Sequence, residues 1–131
     1  MKVGLSHIKL VLTGLMLLVA VSTGVVQAKT TAAADKLATI SVAELPAQGA
    51  QTYALIAQGG PFPYEKDGVV FGNRERLLPI SNRGYYREYT VRTPGVSHRG
   101  KRRIVCGGKP KVPDACFYTA DHYASFRKIV P

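Results

Sequence analysis

The sequence predicts an α+β fold in which an N-terminal helix packs against an antiparallel sheet. Two observations predict it. A helix pattern occupies one early segment, residues 46–58, and strand patterns separated by turn signals follow it through the rest of the chain. One helix followed by several strands is typical of a sheet with its helix on one face.

The helix is expected over 46–58. Pro46 suits a first helical turn because its missing N–H would have no intrahelical partner there. Tyr53 and Ile56 are apolar and three residues apart, which places them on one face of a helix. The pair Gly59-Gly60 is a stop signal, so the helix should end at residue 58.

Four short strands are expected after the helix. They cover 69–71, 85–91, 102–106 and 123–129, where β-branched and aromatic residues are frequent. A turn is expected at 118–121, before the last strand. The second of these strands, which starts at Tyr85, carries the densest strand pattern.

Side chains alternate between the two faces of a strand. Glu88 and the other even-numbered residues of this strand therefore share one face, and Tyr85 and the odd-numbered residues share the other. If the next strand pairs antiparallel, Glu88 and Arg103 can lie on one face, with Arg99 at the rim. A carboxylate beside guanidinium groups suits a phosphate-handling site, because arginine offers a forked set of donors to phosphate.

The first 28 residues have the pattern of a secretory signal peptide. Lys2 and Lys9 give a positive start, residues 10–21 are mostly apolar, and Val26-Gln27-Ala28 is a small-x-small cleavage site. A membrane anchor is the alternative, but the apolar core is shorter than the ~20 residues that a spanning helix needs. We therefore expect export and cleavage near Ala28.

The expected domain organisation follows from this leader. Residues 29–44 are expected to form an N-terminal arm, and residues 45–131 one small domain with a single core. The formal net charge of the whole chain is +10. Such a charge favours polyanionic partners, namely RNA, DNA, acidic polysaccharide or anionic membranes. A membrane-active role is disfavoured because the chain lacks a long basic amphipathic helix.

Two cysteines, Cys106 and Cys116, are present. In an oxidising compartment we expect them to pair and to clip the base of a hairpin loop, because the residues between them are rich in turn formers. The chain-entropy model gives about 2–3 kcal/mol for so short a loop. Two cysteines without nearby histidines make a poor metal site, so no metal is expected.

Three separated motifs stand out in the chain: GPFPYEKDGVVFGNRERLLP, GYYREYTVRTPGVSHRGKRRIVCGG and YTADHYASF. In this order and spacing they resemble the motifs of the secreted bacterial guanyl-specific ribonucleases, the group that includes barnase and its shorter relatives. The resemblance covers about residues 46–129. It implies a helix packed on a twisted antiparallel sheet, with substrate on the concave face. It also implies cleavage of RNA after guanosine through a 2′,3′-cyclic phosphate, followed by slower hydrolysis, without metal or cofactor.

The resemblance also implies a role for each residue of a catalytic set. Glu88 matches the general base that takes the proton of the 2′-hydroxyl, and His122 matches the general acid for the departing 5′-oxygen. Arg99 and Arg103 match the pair that stabilises the phosphate, and Tyr123 matches a residue that helps to hold it. Taken singly, each of these residues has an ordinary structural explanation; their ordered combination favours catalysis.

Residues 71–75 match the guanine-reading loop of the family. Glu75 would accept the two donors of guanine, N1–H and N2–H₂, and the backbone of Asn73 and Arg74 would serve O6. Phe71 offers a stacking face, and the Arg74 side chain could cover the other face of the base. The alternative is that Phe71 belongs to the core and Asn73 is only a turn residue.

The main alternative function is a secreted polyanion-binding protein without enzymatic activity, which explains the charge equally well. As an enzyme, the protein is expected to act on single-stranded RNA as a monomer without stable membrane association. A free ribonuclease would endanger the producing cell, so an acidic protein inhibitor similar to barstar is a further expected partner.

Overall fold

The computed structural model describes residues 36–131, so the expected leader, its cleavage site and residues 29–35 of the expected arm lie outside the described residues. One helix, α1 (Ala47–Gln58), packs on a five-stranded sheet, which confirms the predicted α+β class. The strands are β1 (Thr39–Ser41), β2 (Tyr86–Thr90), β3 (Arg103–Gly108), β4 (Pro113–Thr119) and β5 (Arg127–Val130). Their order is β1-β5-β4-β3-β2, and every neighbouring pair is antiparallel except β1 and β5. Within 36–131 no helix is long and apolar enough to cross a membrane.

The helix confirms its prediction closely. Pro46 is the N-cap, and Gly59 ends the helix in the left-handed conformation with φ of 79°. The Gly59 N–H bonds back to the carbonyls of Leu55 and Ile56, a common way of satisfying the last turn. The buried Thr52 hydroxyl donates to the carbonyl oxygen of Thr90 at 3.1 Å and so ties the helix to β2.

Two apolar clusters lie on opposite faces of the sheet. The first is on the helix side and includes Ile56, Tyr89 and Ile104. The second is on the other face, with Leu78, Tyr86, Val105, Phe117 and Phe126 as its buried members. This second cluster, called the apolar floor below, lies next to the candidate site, because Glu88, Thr90 and Arg103 project from the same face of the sheet.

The strand alternation predicted for β2 holds within the strand but fails for Tyr85. Tyr85 precedes the strand and follows Gly84, which has φ of 87°. Its ring lies over Gly107, on the same face as Tyr86, and the two tyrosine rings pack edge to face at 4.8 Å. A side chain at Gly107 would collide with that ring, so glycine is required there by close approach.

The cysteine pair is confirmed as a disulfide between Cys106 and Cys116. Its predicted place at the base of a hairpin loop is wrong. The two cysteines are directly opposite each other in the β3–β4 ladder, and this ladder continues beyond them to Gly108 and Pro113. The bond therefore links the middle of two paired strands, and both cysteines are buried.

Several predicted boundaries shift. Residues 69–71 form one isolated bridge, Val70 to Arg87, although flanking backbone hydrogen bonds hold this segment along β2. The third predicted strand, 102–106, is β3, which begins at Arg103 and extends to Gly108. The predicted turn at 118–121 is wrong for its first two residues, which belong to β4, and the last strand begins at Arg127 instead of 123.

The N-terminal boundary of the packed domain also differs from the expected one. Part of the expected arm, Thr39–Ser41, is strand β1 and pairs in parallel with β5. Ile40 is buried within the helix-side cluster. A short 3₁₀ helix, Val42–Glu44, then leads into α1. The packed structure thus begins before Leu45.

Candidate active site

Glu88 is the centre of the polar network on the open face of the sheet. It lies on β2, and its side chain is only 12% exposed. Its Oε1 accepts a hydrogen bond from Arg99 Nη2 at 3.1 Å, and its Oε2 accepts one from the Tyr123 hydroxyl. A buried carboxylate requires such partners, because desolvation without them is costly.

Arg103 is the most deeply buried charge of this network, with 3% of its surface exposed. It pairs with Thr90 across the β2–β3 ladder, diagonally beside Glu88. Its Nη1 donates to the carbonyls of Gly100 at 3.0 Å and Arg102 at 2.8 Å, which fixes the guanidinium. Its Nε is buried and has no hydrogen-bond partner among the described residues. Unsatisfied buried donors of this kind are uncommon in folded proteins.

Arg99 comes from the loop between β2 and β3. Its Nε donates to Thr90 Oγ1 at 3.0 Å, while its Nη2 forms the ion pair with Glu88. The guanidinium is thereby held against the strand by two contacts. The expected rim position is confirmed, since the side chain is 26% exposed.

His122 and Tyr123 lie in the turn between β4 and β5, and both have positive φ, 54° and 71°. Such conformations are strained for residues with a Cβ and persist only when the surroundings enforce them. The backbone N–H of Tyr123 donates to Thr119 Oγ1 at 3.2 Å, and that of His122 donates to the Lys101 carbonyl at 3.0 Å. The turn is therefore tied to β4 and to the β2–β3 loop.

Asp121 organises the same turn and was not singled out from the sequence. Its carboxylate accepts the hydroxyl of Thr119 at 2.9 Å and the hydroxyl and N–H of Ser125 at 2.5 and 2.9 Å. The Ser125 hydroxyl is the main reason that the pKa of Asp121 is lowered from its usual value. An aspartate followed four residues later by a serine was the available signal, because both side chains favour local bonds to backbone.

Tyr123 joins the two halves of the site. Its ring centroid lies 4.9 Å from that of His122 and 5.0 Å from that of Phe71. Burial, reinforced by the hydrogen bond to Glu88, raises the pKa of Tyr123 to about 12, with Arg103 opposing the shift. The phenol is thus a hydrogen-bond donor at neutral pH. The exposed His122 imidazole reaches the Glu88 network through this residue.

A cleft of about 690 Å³ connects the predicted reading loop with this turn. Its wall includes all five predicted loop residues, 71–75, together with His122 and Tyr123. The structure thus places the predicted base-reading residues and the predicted acid around one open space. Glu88, Arg99 and Arg103 do not line this cleft. Glu88 is connected to its wall by the hydrogen bond from the Tyr123 hydroxyl, and Arg99 is connected through its ion pair with Glu88.

Within the loop, Asn73 has a structural function that its side chain fulfils completely. It adopts φ of 49°, and its side-chain amide makes two bonds to Leu78, accepting the N–H at 3.1 Å and donating to the carbonyl at 3.0 Å. Phe71 is half-buried against Tyr123 and Phe126, so it belongs partly to the apolar floor as well as to the cleft. Glu75 is exposed and lines the cleft, as does Arg74.

Among residues 36–131, no three histidine, cysteine, aspartate or glutamate side chains cluster as metal ligands would. The site's fixed cations are guanidinium groups, which suit an oxyanion with several acceptor oxygens.

Comparison with known proteins gives consistent relatives. The ribonuclease family profile matches residues 27–130. Guanyl-specific ribonuclease Sa3 of Kitasatospora aureofaciens is 58% identical over 85 residues, which are 65% of this chain and 58% of the relative. Guanyl-specific ribonuclease Sa of the same organism is 50% identical over 95 residues, 72% of this chain and 96% of the relative.

Solved structures agree with these sequence relatives. Ribonuclease Sa2 in complex with mononucleotides superposes with a TM-score of 0.68 at 49% identity, over 72% of this chain and 95% of that one. Ribonuclease Sa2 with guanosine-2′-cyclophosphate superposes with a TM-score of 0.66, also at 49% identity, over 72% of this chain and 97% of that one. With the family profile covering nearly all of the described residues, the chain belongs to the family of microbial guanyl-specific ribonucleases.

Proposed function

We propose that the protein is a guanyl-specific endoribonuclease that cleaves RNA on the 3′ side of guanosine. The ribose 2′-oxygen attacks the adjacent phosphate and releases a 2′,3′-cyclic phosphate, which is then hydrolysed more slowly. One observation carries this proposal: the buried Glu88 carboxylate lies beside two fixed guanidiniums, one of which has a buried Nε without a partner. The names of the relatives Sa and Sa3 give the same base specificity.

Glu88 takes the proton from the 2′-hydroxyl. A general base must lie within reach of the proton that it takes, and the Arg99 ion pair holds the carboxylate in place. The Tyr123 hydroxyl holds the other oxygen, so the carboxylate has a defined orientation before substrate arrives. This prior orientation reduces the ordering needed to reach the transition state.

Arg103 and Arg99 stabilise the charge that develops on the phosphorus oxygens. The unpartnered Nε of Arg103 gives the phosphate a donor whose desolvation has already occurred in the folded protein. Three backbone carbonyl contacts on Nη1 keep this guanidinium from reorienting. Preorganised donors of this type contribute most where charge appears during the reaction.

His122 gives a proton to the departing 5′-oxygen. Its exposure at the cleft wall allows it to meet the leaving group and to exchange protons with water. Histidine is suited to this step because its usual pKa lies near neutrality. The Tyr123 hydroxyl, which bonds Glu88, would lie between this general base and the phosphate and help to hold the phosphate.

Base selection is assigned to the loop. The Glu75 carboxylate at the cleft wall accepts N1–H and N2–H₂ of guanine, and the Asn73–Arg74 backbone donates to O6. Adenine, with an acceptor at N1, would leave that carboxylate unpaired, and sites of this kind reject such analogues strongly. Phe71 supplies the stacking surface from the edge of the apolar floor.

The direct experiment uses the dinucleotide GpC. The purified protein should convert it to guanosine 2′,3′-cyclic phosphate and cytidine, in EDTA, with much slower cleavage of ApC and none of deoxy-GpC, which lacks the attacking hydroxyl. A protein that binds RNA tightly but releases no cyclic phosphate would be the polyanion-binding alternative, and the enzymatic proposal would be wrong.

We also propose that the protein is exported after removal of residues 1–28 and acts as a monomer. The pattern of the leader and the disulfide at Cys106 and Cys116 support export, because disulfides persist in oxidising compartments. N-terminal sequencing of protein from the culture medium should begin at Lys29. Intact leader on the secreted chain would contradict this.

An acidic inhibitor remains part of the proposal. The cations around Glu88 would attract a small acidic protein that covers the cleft, and complementary charge would make its association fast. Affinity purification from the producing cell on immobilised E88Q protein should recover such a partner. Its association rate constant with the protein should fall steeply as the salt concentration rises. Recovery that is equal on a column of unrelated basic protein would refute specific inhibition.

A further inference from the structure

A second pocket lies behind the predicted reading loop and has no role in the reaction described above. Its volume is about 480 Å³, and four loop residues, Phe71 to Arg74, line both it and the main cleft. The rest of its wall comes from the approach to β2, residues Ser81, Asn82, Arg83, Gly84 and Tyr86. The loop is thus a partition with a pocket on each side.

The pocket presents positive charge without a counter-charge. Arg74 and Arg83 are both exposed, and within the described part of the chain neither forms an ion pair or a hydrogen bond through its guanidinium. Ser81 and Asn82 add neutral donors at the same wall. Forked guanidinium donors with hydroxyl and amide neighbours suit the acceptor oxygens of a phosphodiester better than they suit an apolar ligand.

At Gly72 only backbone atoms separate the two pockets, because this residue has no side chain. The space that its Cβ would contact is occupied by the aliphatic stem and Nε of Arg74, at 3.6 and 3.9 Å. The Arg74 guanidinium therefore lies where the two pockets meet. A polynucleotide strand that leaves the main cleft over Gly72 would encounter Arg74 first and Arg83 next.

We propose that this pocket is an upstream subsite, which binds the phosphodiester on the 5′ side of the selected guanosine through Arg83 and Arg74. The inference rests on the proposed ribonuclease function. The direction follows from the leaving group: the downstream nucleotide is attached to the 5′-oxygen that His122 protonates, so it lies on the His122 side. The upstream pocket contains neither His122 nor Tyr123, which leaves it to the strand that enters from the guanosine 5′-oxygen.

The test compares three substrates: GpC, pGpC and ApGpC. The wild-type kcat/KM should rise from GpC to pGpC, because a 5′-phosphate alone fills the subsite, and should be similar for ApGpC. R83A should remove about three- to tenfold from kcat/KM of pGpC and ApGpC but leave the GpC value as it is in the wild type. Each phosphate contact adds about −0.7 to the slope of log K against log salt concentration in single-strand binding. For binding of ApGpC, R83A should therefore make this slope less negative by about 0.7.

Two control variants make the outcome specific. R83K keeps the charge and should retain most of the preference, whereas K109A removes an exposed positive charge at the β3–β4 hairpin and should change all three substrates equally. Equal losses for GpC and ApGpC in R83A, or no loss in either, would refute the subsite while the enzyme remained active. A wild-type protein that cleaves none of the three refutes the ribonuclease proposal, and the subsite with it.

Discussion

Tyr123 donates its hydroxyl hydrogen to Oε2 of Glu88, although the two residues are 35 positions apart in the sequence. The same ring packs against His122 and Phe71. One side chain thus connects the strand that carries the predicted base, the turn that carries the predicted acid and the loop predicted to read guanine.

Y123F should lower kcat/KM for GpC by about tenfold to a hundredfold. The variant removes a hydrogen bond to a charged group, worth about 1.5–3 kcal/mol, and every 1.4 kcal/mol is a factor of ten. Steady-state kinetics with far-UV circular dichroism will show whether activity falls while the fold stays intact. Y85F is the matched control, because Tyr85 also donates to a carboxylate, Asp114, but outside the cleft. Equal losses in both variants would contradict a specific function of Tyr123.

Alkaline pH should destabilise the fold through two tyrosines. Burial is the largest cause that raises the pKa of Tyr123 and of Tyr86, each to about 12, whereas unfolded tyrosine titrates near 10. Between these values the folded state holds more protons than the unfolded state. The stabilisation is therefore complete below about pH 10 and is lost as the pH rises towards 12. Urea unfolding over this range should show a smaller pH dependence in Y86F than in the wild type.

E88Q and H122Q should each reduce kcat by about 10² to 10⁴, the usual contribution of a general base or acid. Glutamine approximately preserves the size of the side chain in both places but cannot exchange a proton at neutral pH. Initial-rate measurements with saturating GpC give kcat for each variant. H98Q and E65Q are the controls, since His98 is exposed and bonds only locally, to Gly100, and Glu65 is an exposed carboxylate outside the main cleft. Full activity in either active-site variant would remove that residue from the mechanism.

E75Q should lower the ratio of kcat/KM for GpC over ApC by at least tenfold. The glutamine amide can accept one guanine donor through its oxygen, but its NH₂ group faces the second donor without a bond. The ratio of the two dinucleotide rates measures this directly. An unchanged ratio would place base recognition elsewhere in the cleft.

S125A should loosen the turn that holds His122. It removes the hydroxyl that bonds Asp121 at 2.5 Å and that contributes most to the lowered pKa of this carboxyl. A lowered folded pKa means stabilisation that is present above about pH 4 and is lost as the pH falls. The control is S97A, a serine variant in the β2–β3 loop. Between neutral pH and about pH 3, the urea midpoint should therefore drop less in S125A than in S97A. In S125A, kcat should also fall by a larger factor than KM rises.

The parts of this fold that were predictable from sequence have local causes. The helix is bounded by Pro46 and Gly59, and the strand face of Glu88 follows from period-two alternation. Strand β1 was missed because three residues give little pattern and their partner, β5, lies at the other end of the chain. Tyr85 was placed on the wrong face because alternation was extended past the start of the strand, where Gly84 redirects the backbone.

The site shows the same division between local and distant causes. Motif resemblance brought Glu88, Arg99, Arg103, His122 and Tyr123 together as a predicted set. It did not single out Thr119, Asp121 and Ser125 as the residues that hold the turn. The Asp121–Ser125 bonds form across His122 and Tyr123, whose positive φ the motif does not reveal. The alternative stated for Phe71, that it belongs to the core, is confirmed in part, because its ring packs against Phe126 of the apolar floor.

The two hydrogen bonds between the Asn73 side-chain amide and the Leu78 backbone resemble one pair of ladder hydrogen bonds in a sheet, within a six-residue loop. Its consequence concerns the timing of recognition. A loop closed on itself in this way should keep its shape without substrate. If it reads guanine as proposed, little ordering entropy is then lost on binding. Discrimination among bases would then be complete at the first encounter, without a closing motion to await.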